Sequence, residues 1–244
     1  MQYAVVRTTA NPSKQFRGIE GWPSLYKPKV DGSIKQYSAT RMKLSNGPDS
    51  IEVGWMVNPS LYSDEEAHLY VKFKAGDKGC MDTQCPGFVH VAKDVPLGDV
   101  PERYSQIDGE QYTWKLFIDK HEDTGDWWVS IDEDKYGIGY WPKSLFTGLS
   151  DVANQAEWGG EVGVHSGQKS YPFPEMGSGR RAIYNTKRSA FFQHVTVVNE
   201  AHMNVNPEDT EKFYSWEPLY LSLDEGYQGD YWGRLIFFGG PTSK

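Results

Sequence analysis

Short runs in which apolar and polar residues alternate recur along the whole chain. A period of two is typical of β-strands with one buried face. Turn sequences rich in Gly, Asp and Asn separate the runs, and no repeat or low-complexity segment interrupts them. An all-β fold follows, most simply an antiparallel two-sheet β-sandwich of the jelly-roll or concanavalin-like kind, built as a single domain over residues 1–244. The pattern predicts strands at residues 4–8, 50–58, 68–75, 87–93, 112–120, 126–132, 157–164, 189–199, 218–223 and 233–239.

One segment, PKSLFTGLSDVANQA, has a different period. It begins with a proline, which suits the first turn of a helix. We therefore expect one short helix near residues 142–156. Its apolar residues at helical spacing are Leu145, Phe146, Leu149, Val152 and Ala153.

Two glutamates lie on strand faces that small residues keep clear. In EWGGEVGV, Glu161 shares its face with Gly159 and Gly163, and the other face is largely apolar. In SIEVGWMVN, Glu52 is followed two residues later by Gly54, with a continuous apolar face behind it. In a sandwich that apolar face packs against the second sheet. Each acid is therefore expected on the outer, solvent-side surface of its sheet.

A single outward-facing glutamate is ordinary, and a glycine in a strand often marks only a bulge. Two sites of the same design indicate a pair, provided that the two strands lie together. Two carboxylates within reach of one water molecule cannot both ionise cheaply, so one pKa would rise and the pair would hold one proton. The charged member can then take a proton from water while the other donates to the substrate. We predict hydrolysis in acid without a metal or cofactor. Glu52 is favoured as the base and Glu161 as the acid, but the coupled pair can also exchange these roles.

Composition limits the partners. The chain has 25 Lys plus Arg against 33 Asp plus Glu and a net charge of −8 at pH 7, with no basic stripe, so we expect no nucleic acid partner. No apolar run approaches the roughly 20 residues of a membrane span, and we expect a monomer away from membranes. The first residues lack a signal-peptide pattern, which leaves a cytosolic protein or the mature form of a secreted one.

The two cysteines, Cys80 and Cys85, lie five residues apart. A metal site would need more ligands nearby, and His68 and His90 show no ligand spacing. A disulfide that closes a tight loop is favoured over two free thiols. Such a bond requires an oxidising compartment and so favours secretion.

Carbohydrate chemistry is the alternative. The chain has 9 Trp and 15 Tyr, and aromatic rings in an open groove suit sugar stacking. Paired carboxylates also serve glycosidases. A two-carboxylate glycosidase or a lectin on the same kind of sandwich therefore remains open at this level.

Several stretches resemble, in order, the motif series of the neprosin family. They are IEVGWMVNPSLYSD, GCMDTQCPGFV, DWWVSI followed by GYWPKSLF, QAEWGGEV and EMGSG. The resemblance implies a glutamic peptidase that cleaves on the carboxyl side of proline, with Glu52 and Glu161 as its catalytic residues. Fungal glutamic peptidases pair a glutamine with a glutamate, and the two glutamates here favour the neprosin type. The resemblance also implies a zymogen inhibited by its own pro-segment and secreted into the acidic digestive fluid of a plant.

Specificity for proline in peptide and protein substrates needs a flat apolar pocket, which aromatic rings can line. Gln155 and Glu157 share a face with Glu161 if that strand extends back to them, so either could orient the substrate. Gly54 and Gly159 would leave room for a peptide. The aromatic candidates for the pocket are Trp128, Tyr140, Trp141 and Tyr214.

Overall fold

A computed structural model describes residues 1–11, 13–132, 137–163, 173–215 and 219–241. Two predicted strands extend beyond these ranges, to Val164 and to residue 218, and those positions lie outside the described residues. The strands are β1 (Gln2–Thr8), β2 (Gly18–Pro23), β3 (Tyr37–Asn46), β4 (Asp49–Val57), β5 (Ala67–Ala75), β6 (Lys78–Met81), β7 (Val89–His90), β8 (Leu116–Lys120), β9 (Trp127–Ile131), β10 (Gly137–Trp141), β11 (Gln155–Gly163), β12 (Ala190–Val198), β13 (Asn204–Val205), β14 (Thr210–Tyr214), β15 (Leu221–Tyr227) and β16 (Arg234–Gly239). The helix α1 (Pro59–Tyr62) and 3-10 turns at Gly32–Ile34 and Lys143–Leu145 complete the elements.

The strands form two antiparallel sheets, which confirms the predicted fold class. In the described residues the first sheet has the order β14-β1-β11-β3-β4-β5-β6. The second has the order β15-β16-β12-β2-β8-β9-β10-β7, with β13 beside β12. Each predicted strand overlaps an observed one. None of the described helices is long and apolar enough to cross a membrane.

Apolar side chains from the inner faces of both sheets fill one core between them. Trp127, Trp141 and Trp158 are fully buried there. Two of their indole N–H groups find acceptors, since Trp158 donates to the carbonyl of Glu20 and Trp127 to that of Leu149. Hydrogen-bonded indoles avoid the cost of burying an unpaired donor. Because the apolar face of each strand packs into this core, its other face points outward.

Strand β3 was missed by the sequence analysis, and it lies in the middle of the first sheet. Its sequence, YSATRMKLSN, carries polar residues on both faces. Ser38 and Thr40 point inward with Met42 and Leu44, and all four are buried. Because polar residues occur on both faces, the alternation that marks a half-buried strand is lost. The strands β2, β6, β10, β13 and β14 were missed as well.

The helix expected at 142–156 does not form. That range holds only the 3-10 turn Lys143–Leu145 and the start of β11. The buried carboxylate of Asp49 accepts hydrogen bonds from the backbone N–H groups of Thr147, Gly148 and Leu149, at 2.7, 2.7 and 3.3 Å. These backbone N–H groups therefore donate to a side chain of β4 instead of to carbonyl groups of their own segment. A tertiary contact replaces the hydrogen bonds that a helix would have used.

The predicted disulfide is confirmed: Cys80 and Cys85 are bonded, with their Cα atoms 6.0 Å apart. It closes the loop that follows the hairpin of β5 and β6, at the edge of the first sheet. Phe73 of β5 pairs with Cys80 of β6, so the six-residue loop begins beside Phe73.

Candidate active site

Glu52 and Glu161 lie on the same outer face of the first sheet, but on strands that are not neighbours. Glu52 is in β4 and Glu161 in β11, and β3 runs between them. Residue 39 of β3 pairs with Glu161, while Lys43 pairs with Glu52. The two glutamates are therefore brought together across a third strand, which supplies the residue between them.

That residue is Arg41, which the sequence analysis did not identify. Its side chain is 1% exposed. Its Nε lies 3.1 Å from Glu161 Oε2 and 3.6 Å from Glu52 Oε2. Its Nη1 donates to Glu157 Oε2 at 3.0 Å. One guanidinium thus contacts three carboxylates, and its position in β3 could be found only once β3 was known to lie between the two motifs.

The strand pairing around Arg41 also explains the glycines of the two motifs. Arg41 pairs with Gly54 on one side and with Gly159 on the other. A Cβ at Gly54 would lie 2.0 Å from the carbonyl oxygen of Thr40, and one at Gly159 would lie 2.3 Å from that of Ala4. Both glycines therefore let neighbouring backbones approach closely, rather than only leaving room for a peptide.

Each glutamate also accepts a hydrogen bond from a tyrosine. Tyr37 donates to Glu161 Oε1 at 2.6 Å, and Tyr70 donates to Glu52 Oε1 at 2.5 Å. The ring of Tyr37 fills the space beside Gly163, where a Cβ would lie 1.8 Å from the ring. The third glycine of the motif thus makes room for a side chain that binds Glu161.

Both glutamates are buried, with exposed fractions of 5% for Glu52 and 3% for Glu161. The expectation that they lie in solvent on the outer face is therefore corrected. They do lie on that face, but the side chains of Arg41, Tyr37 and Tyr70 cover them. In such surroundings electrostatic interactions are stronger than in water.

The charges around Glu161 decide its protonation. Burial alone would raise the pKa of Glu161, but Arg41, Lys72 and the hydrogen bond from Tyr37 outweigh it, and the pKa lies below its ordinary value. Burial likewise opposes a lowered pKa for Glu157, and Arg41 and Lys43 again prevail. Burial would lower the pKa of Arg41, yet its three glutamates raise that pKa well above the usual range. The cations around Glu161 thus favour its ionised form.

A row of alternating charge crosses the sheet through Glu52. Consecutive partners in six strands carry opposite charges, and like charges never face each other. Opposite charges in directly paired positions stabilise a sheet by a few tenths of a kcal/mol each. The row also places a lysine on either side of Glu52. Its members are Glu211, Arg7, Glu157, Lys43, Glu52 and Lys72.

The aromatic residues expected to form the substrate pocket are not brought to this face. Trp141 is fully buried in the core. Trp128 and Tyr140 stack on each other, with ring centroids 4.8 Å apart, on the outer face of the second sheet. The core lies between them and Glu161, so these aromatic side chains are not brought together with the two glutamates. A residue's face can be read from its strand, but the sheet to which that strand belongs cannot.

Tyr214 is on the right sheet but on the opposite face. It pairs with the buried Ala4, whereas Phe213 pairs with Val5, the neighbour of Gly159. Phe213 therefore shares the face of Glu161 together with Tyr3, which pairs with Glu161 itself. The rings of Tyr3 and Phe213 are 6.4 Å apart.

Gln155 and Glu157 do share the strand and the face of Glu161, because β11 extends back to residue 155. Gln155 donates to the carbonyl oxygen of Thr8 at 3.2 Å. Glu157 is buried and bound to Arg41 and Lys43. Both side chains are thus engaged within the protein.

Comparison with known proteins identifies the family of the chain. The model of the neprosin family matches residues 34–241. The chain belongs to the neprosin family. The match includes both strands that carry the paired glutamates and the strand with Arg41 between them.

The fold of this neprosin-family chain is also that of solved glutamic peptidases. A scytalido-glutamic peptidase bound to a transition-state analogue inhibitor is 7% identical, with a TM-score of 0.52 and 98% of each chain covered. SCP-B, a peptidase of the eqolisin family in complex with the tripeptide Ala-Ile-His, is 6% identical, with a TM-score of 0.53 and coverage of 98% and 97%. Family membership and this shared fold together support a glutamic peptidase.

Proposed function

We propose that the protein is an acid-active endopeptidase that cleaves on the carboxyl side of proline. In this reaction a water molecule between Glu52 and Glu161 attacks the carbonyl carbon of the proline residue. The observation that carries the proposal is the meeting of both carboxylates over Arg41, at 3.6 and 3.1 Å from its Nε. Two acids so held can divide general-base and general-acid roles within one site.

The surroundings of the two acids favour Glu161 as the base, the reverse of the sequence expectation. Arg41 and Lys72 lower its pKa against the effect of burial, so it keeps its negative charge as the solution becomes acidic. Glu161 then takes a proton from the attacking water. Glu52 protonates the carbonyl oxygen to give a tetrahedral intermediate. The proton that Glu161 took from water then passes to the leaving amine, while Glu52 recovers a proton from a hydroxyl group of the intermediate. Because the cycle starts with a proton on Glu52, it favours acid.

Lys72 is placed to support the charge that develops on the carbonyl oxygen. Its side chain is 34% exposed and its Nζ lies 4.0 Å from Glu161 Oε1. It pairs with Glu52 in the ladder between β4 and β5. A fixed cation at this position stabilises an oxyanion more strongly in a buried site than in water.

Specificity for proline is assigned to the aromatic side chains of the same face. Tyr3, Tyr37 and Phe213 are half-buried. Tyr3 on β1 and Tyr37 on β3 lie on the two strands that flank β11, the strand of Glu161. Flat rings beside the reacting centre suit the flat ring of proline. Trp128 and Tyr140 have no part in this pocket.

The disulfide Cys80–Cys85 supports an oxidising compartment, and we include secretion into an acidic plant fluid in the proposal. The pro-segment of a zymogen would keep the enzyme inactive until that fluid is reached. The active form is proposed to be a monomer.

A cleavage assay tests the proposed function. The purified protein is incubated in a series of acid and neutral buffers with a peptide containing one internal proline, with the same peptide carrying alanine in its place, and with a set of polysaccharides. Mass spectrometry identifies the products. Cleavage after proline in acid, and not after the alanine, supports the proposal. Release of sugars without peptide cleavage would assign the paired glutamates to a glycosidase instead, and binding of a polysaccharide without any product would indicate a lectin.

A further inference from the structure

We propose that Arg41 and Glu157 form a buried positioning pair that keeps Glu161 ionised and so fixes which of the two glutamates acts as the base. This inference rests on the proposed peptidase function. Neither residue is required by the two-carboxylate reaction itself, and both are buried, with exposed fractions of 1% for Arg41 and 6% for Glu157.

The orientation of the guanidinium is the first argument. Glu157 Oε2 accepts from Nη1 at 3.0 Å, and Nε then points to the other two carboxylates. An arginine donates through several N–H groups in a fixed plane, so binding one edge fixes the direction of the others. Lys43 lies 3.7 Å from the same oxygen of Glu157 and holds that carboxylate in turn.

The unequal distances are the second argument. Arg41 Nε is within hydrogen-bonding distance of Glu161 Oε2, at 3.1 Å, but lies 3.6 Å from Glu52 Oε2. Lys72 also approaches Glu161, at 4.0 Å. The positive charges therefore lie closer to Glu161 than to Glu52, and a cation beside a carboxylate lowers the pKa of that carboxylate.

Every strand packed around Glu161 contributes a charged or titratable group. Their combined effect on Glu161 includes repulsion by the other two glutamates, which Arg41 has to outweigh. The groups are Tyr3 on β1, Glu157 on β11, Tyr37, Arg41 and Lys43 on β3, Glu52 on β4, and Tyr70 and Lys72 on β5.

The test compares pH profiles of kcat/KM for post-proline cleavage. The double variant Arg41→Met/Glu157→Gln removes one positive and one negative charge, so the net buried charge is unchanged while Glu161 loses its guanidinium partner. The acid limb of a profile is the range in which kcat/KM falls as the pH decreases. In the double variant this limb is expected to move to higher pH by about one unit or more, which lowers kcat/KM about tenfold at a given pH on the limb. Glu157→Gln alone keeps a side-chain oxygen that can accept from Arg41 Nη1, so the guanidinium stays oriented while a like charge near Glu161 is removed. Its acid limb is therefore expected to move in the opposite direction.

Arg41→Lys is the conservative variant, because it keeps the charge and loses only the planar fork. Its acid limb is expected between those of the wild type and the double variant. A purely structural role would lower activity in all three variants without moving their limbs in opposite directions. An active, folded double variant whose acid limb coincides with that of the wild type would overturn the proposal.

An independent measurement separates this proposal from the proposed function. The carboxyl carbon of Glu161 is followed by NMR during an acid titration of the wild-type protein, and assigned with Glu161→Gln. We expect the midpoint below the ordinary range of glutamate; a midpoint within or above that range overturns the inference. If the midpoint is low but the protein cleaves no peptide, the role of Arg41 and Glu157 is retained and the peptidase function is rejected.

Discussion

Glu52 and Glu161 meet without being on adjacent strands, because the side chain of Arg41 from the intervening strand lies between them. Its Nε is 3.6 Å from the first and 3.1 Å from the second. A pair of carboxylates alone would share a proton. With a guanidinium between them, the two acids differ, and a division into base and acid becomes possible.

The first prediction concerns the two glutamates. Glu161→Gln and Glu52→Gln should each reduce kcat of post-proline cleavage by about a hundredfold or more, because each removes one proton-transfer group. Circular dichroism should show that the folds are unchanged. Glu65→Gln, at an exposed position, is the matched control and should keep full activity. A fully active Glu161→Gln variant is incompatible with the mechanism.

Removing the hydroxyl of Tyr37 should change the pH dependence. The hydrogen bond from Tyr37 lowers the pKa of Glu161, so in Tyr37→Phe that pKa rises and the acid limb of kcat/KM moves to higher pH. Activity falls on the acid side and changes little near the optimum. Tyr140→Phe, on the other sheet, serves as the control. An acid limb at the same pH in Tyr37→Phe and in the wild type would contradict the role given to this hydrogen bond.

The position of the substrate pocket leads to a third prediction. Phe213→Ala should raise KM for a proline substrate about tenfold, because it removes an aromatic surface on the face of Glu161. Trp128→Ala should leave KM within about twofold of the wild type, because its ring lies on the opposite sheet and packs against Tyr140. The reverse result would place the pocket on the second sheet and reject the present assignment.

Gly54→Ala should destabilise the protein by about 1 to 3 kcal/mol. The new Cβ would lie 2.0 Å from the carbonyl oxygen of Thr40 and 2.9 Å from Arg41 Cα, and no side-chain rotation relieves a collision with backbone. Urea unfolding measures the change. Gly79→Ala is the control, since its Cβ would lie 3.2 Å from the nearest atom, the carbonyl oxygen of Phe73. Equal stability of Gly54→Ala and the wild type would refute the close-approach explanation.

The buried Asp49 predicts a pH-dependent stability. Burial alone would raise its pKa, but backbone hydrogen bonds from Gly76, Thr147, Gly148 and Leu149 lower it. A lowered pKa stabilises the fold above the unfolded-state value of about 3.9, and this contribution is lost as the pH falls through the folded-state pKa. Asp49→Asn should therefore cost about 1 to 3 kcal/mol near neutral pH and progressively less in strong acid. Denaturant titrations of both proteins at several pH values measure the difference, and a deficit that does not shrink in acid would contradict it.

The sequence by itself determined the fold class and the two catalytic candidates. Alternation depends only on the direction of successive side chains in a strand, so it identified the outer faces of Glu52 and Glu161 correctly. The short spacing of Cys80 and Cys85 was sufficient for the disulfide. These features are local, and no distant partner is needed to recognise them.

Tertiary structure alone decided the partners of those residues. The face of a strand follows from its own sequence, but its neighbours follow from the order of strands in the sheet, which many distant contacts select together. Arg41 comes between the glutamates because β3 pairs with both β4 and β11. Trp128 lies on the far side of the core because β9 joins the second sheet. Likewise the carboxylate of Asp49 takes the backbone donors of 147–149, so a segment with helical periodicity does not become a helix.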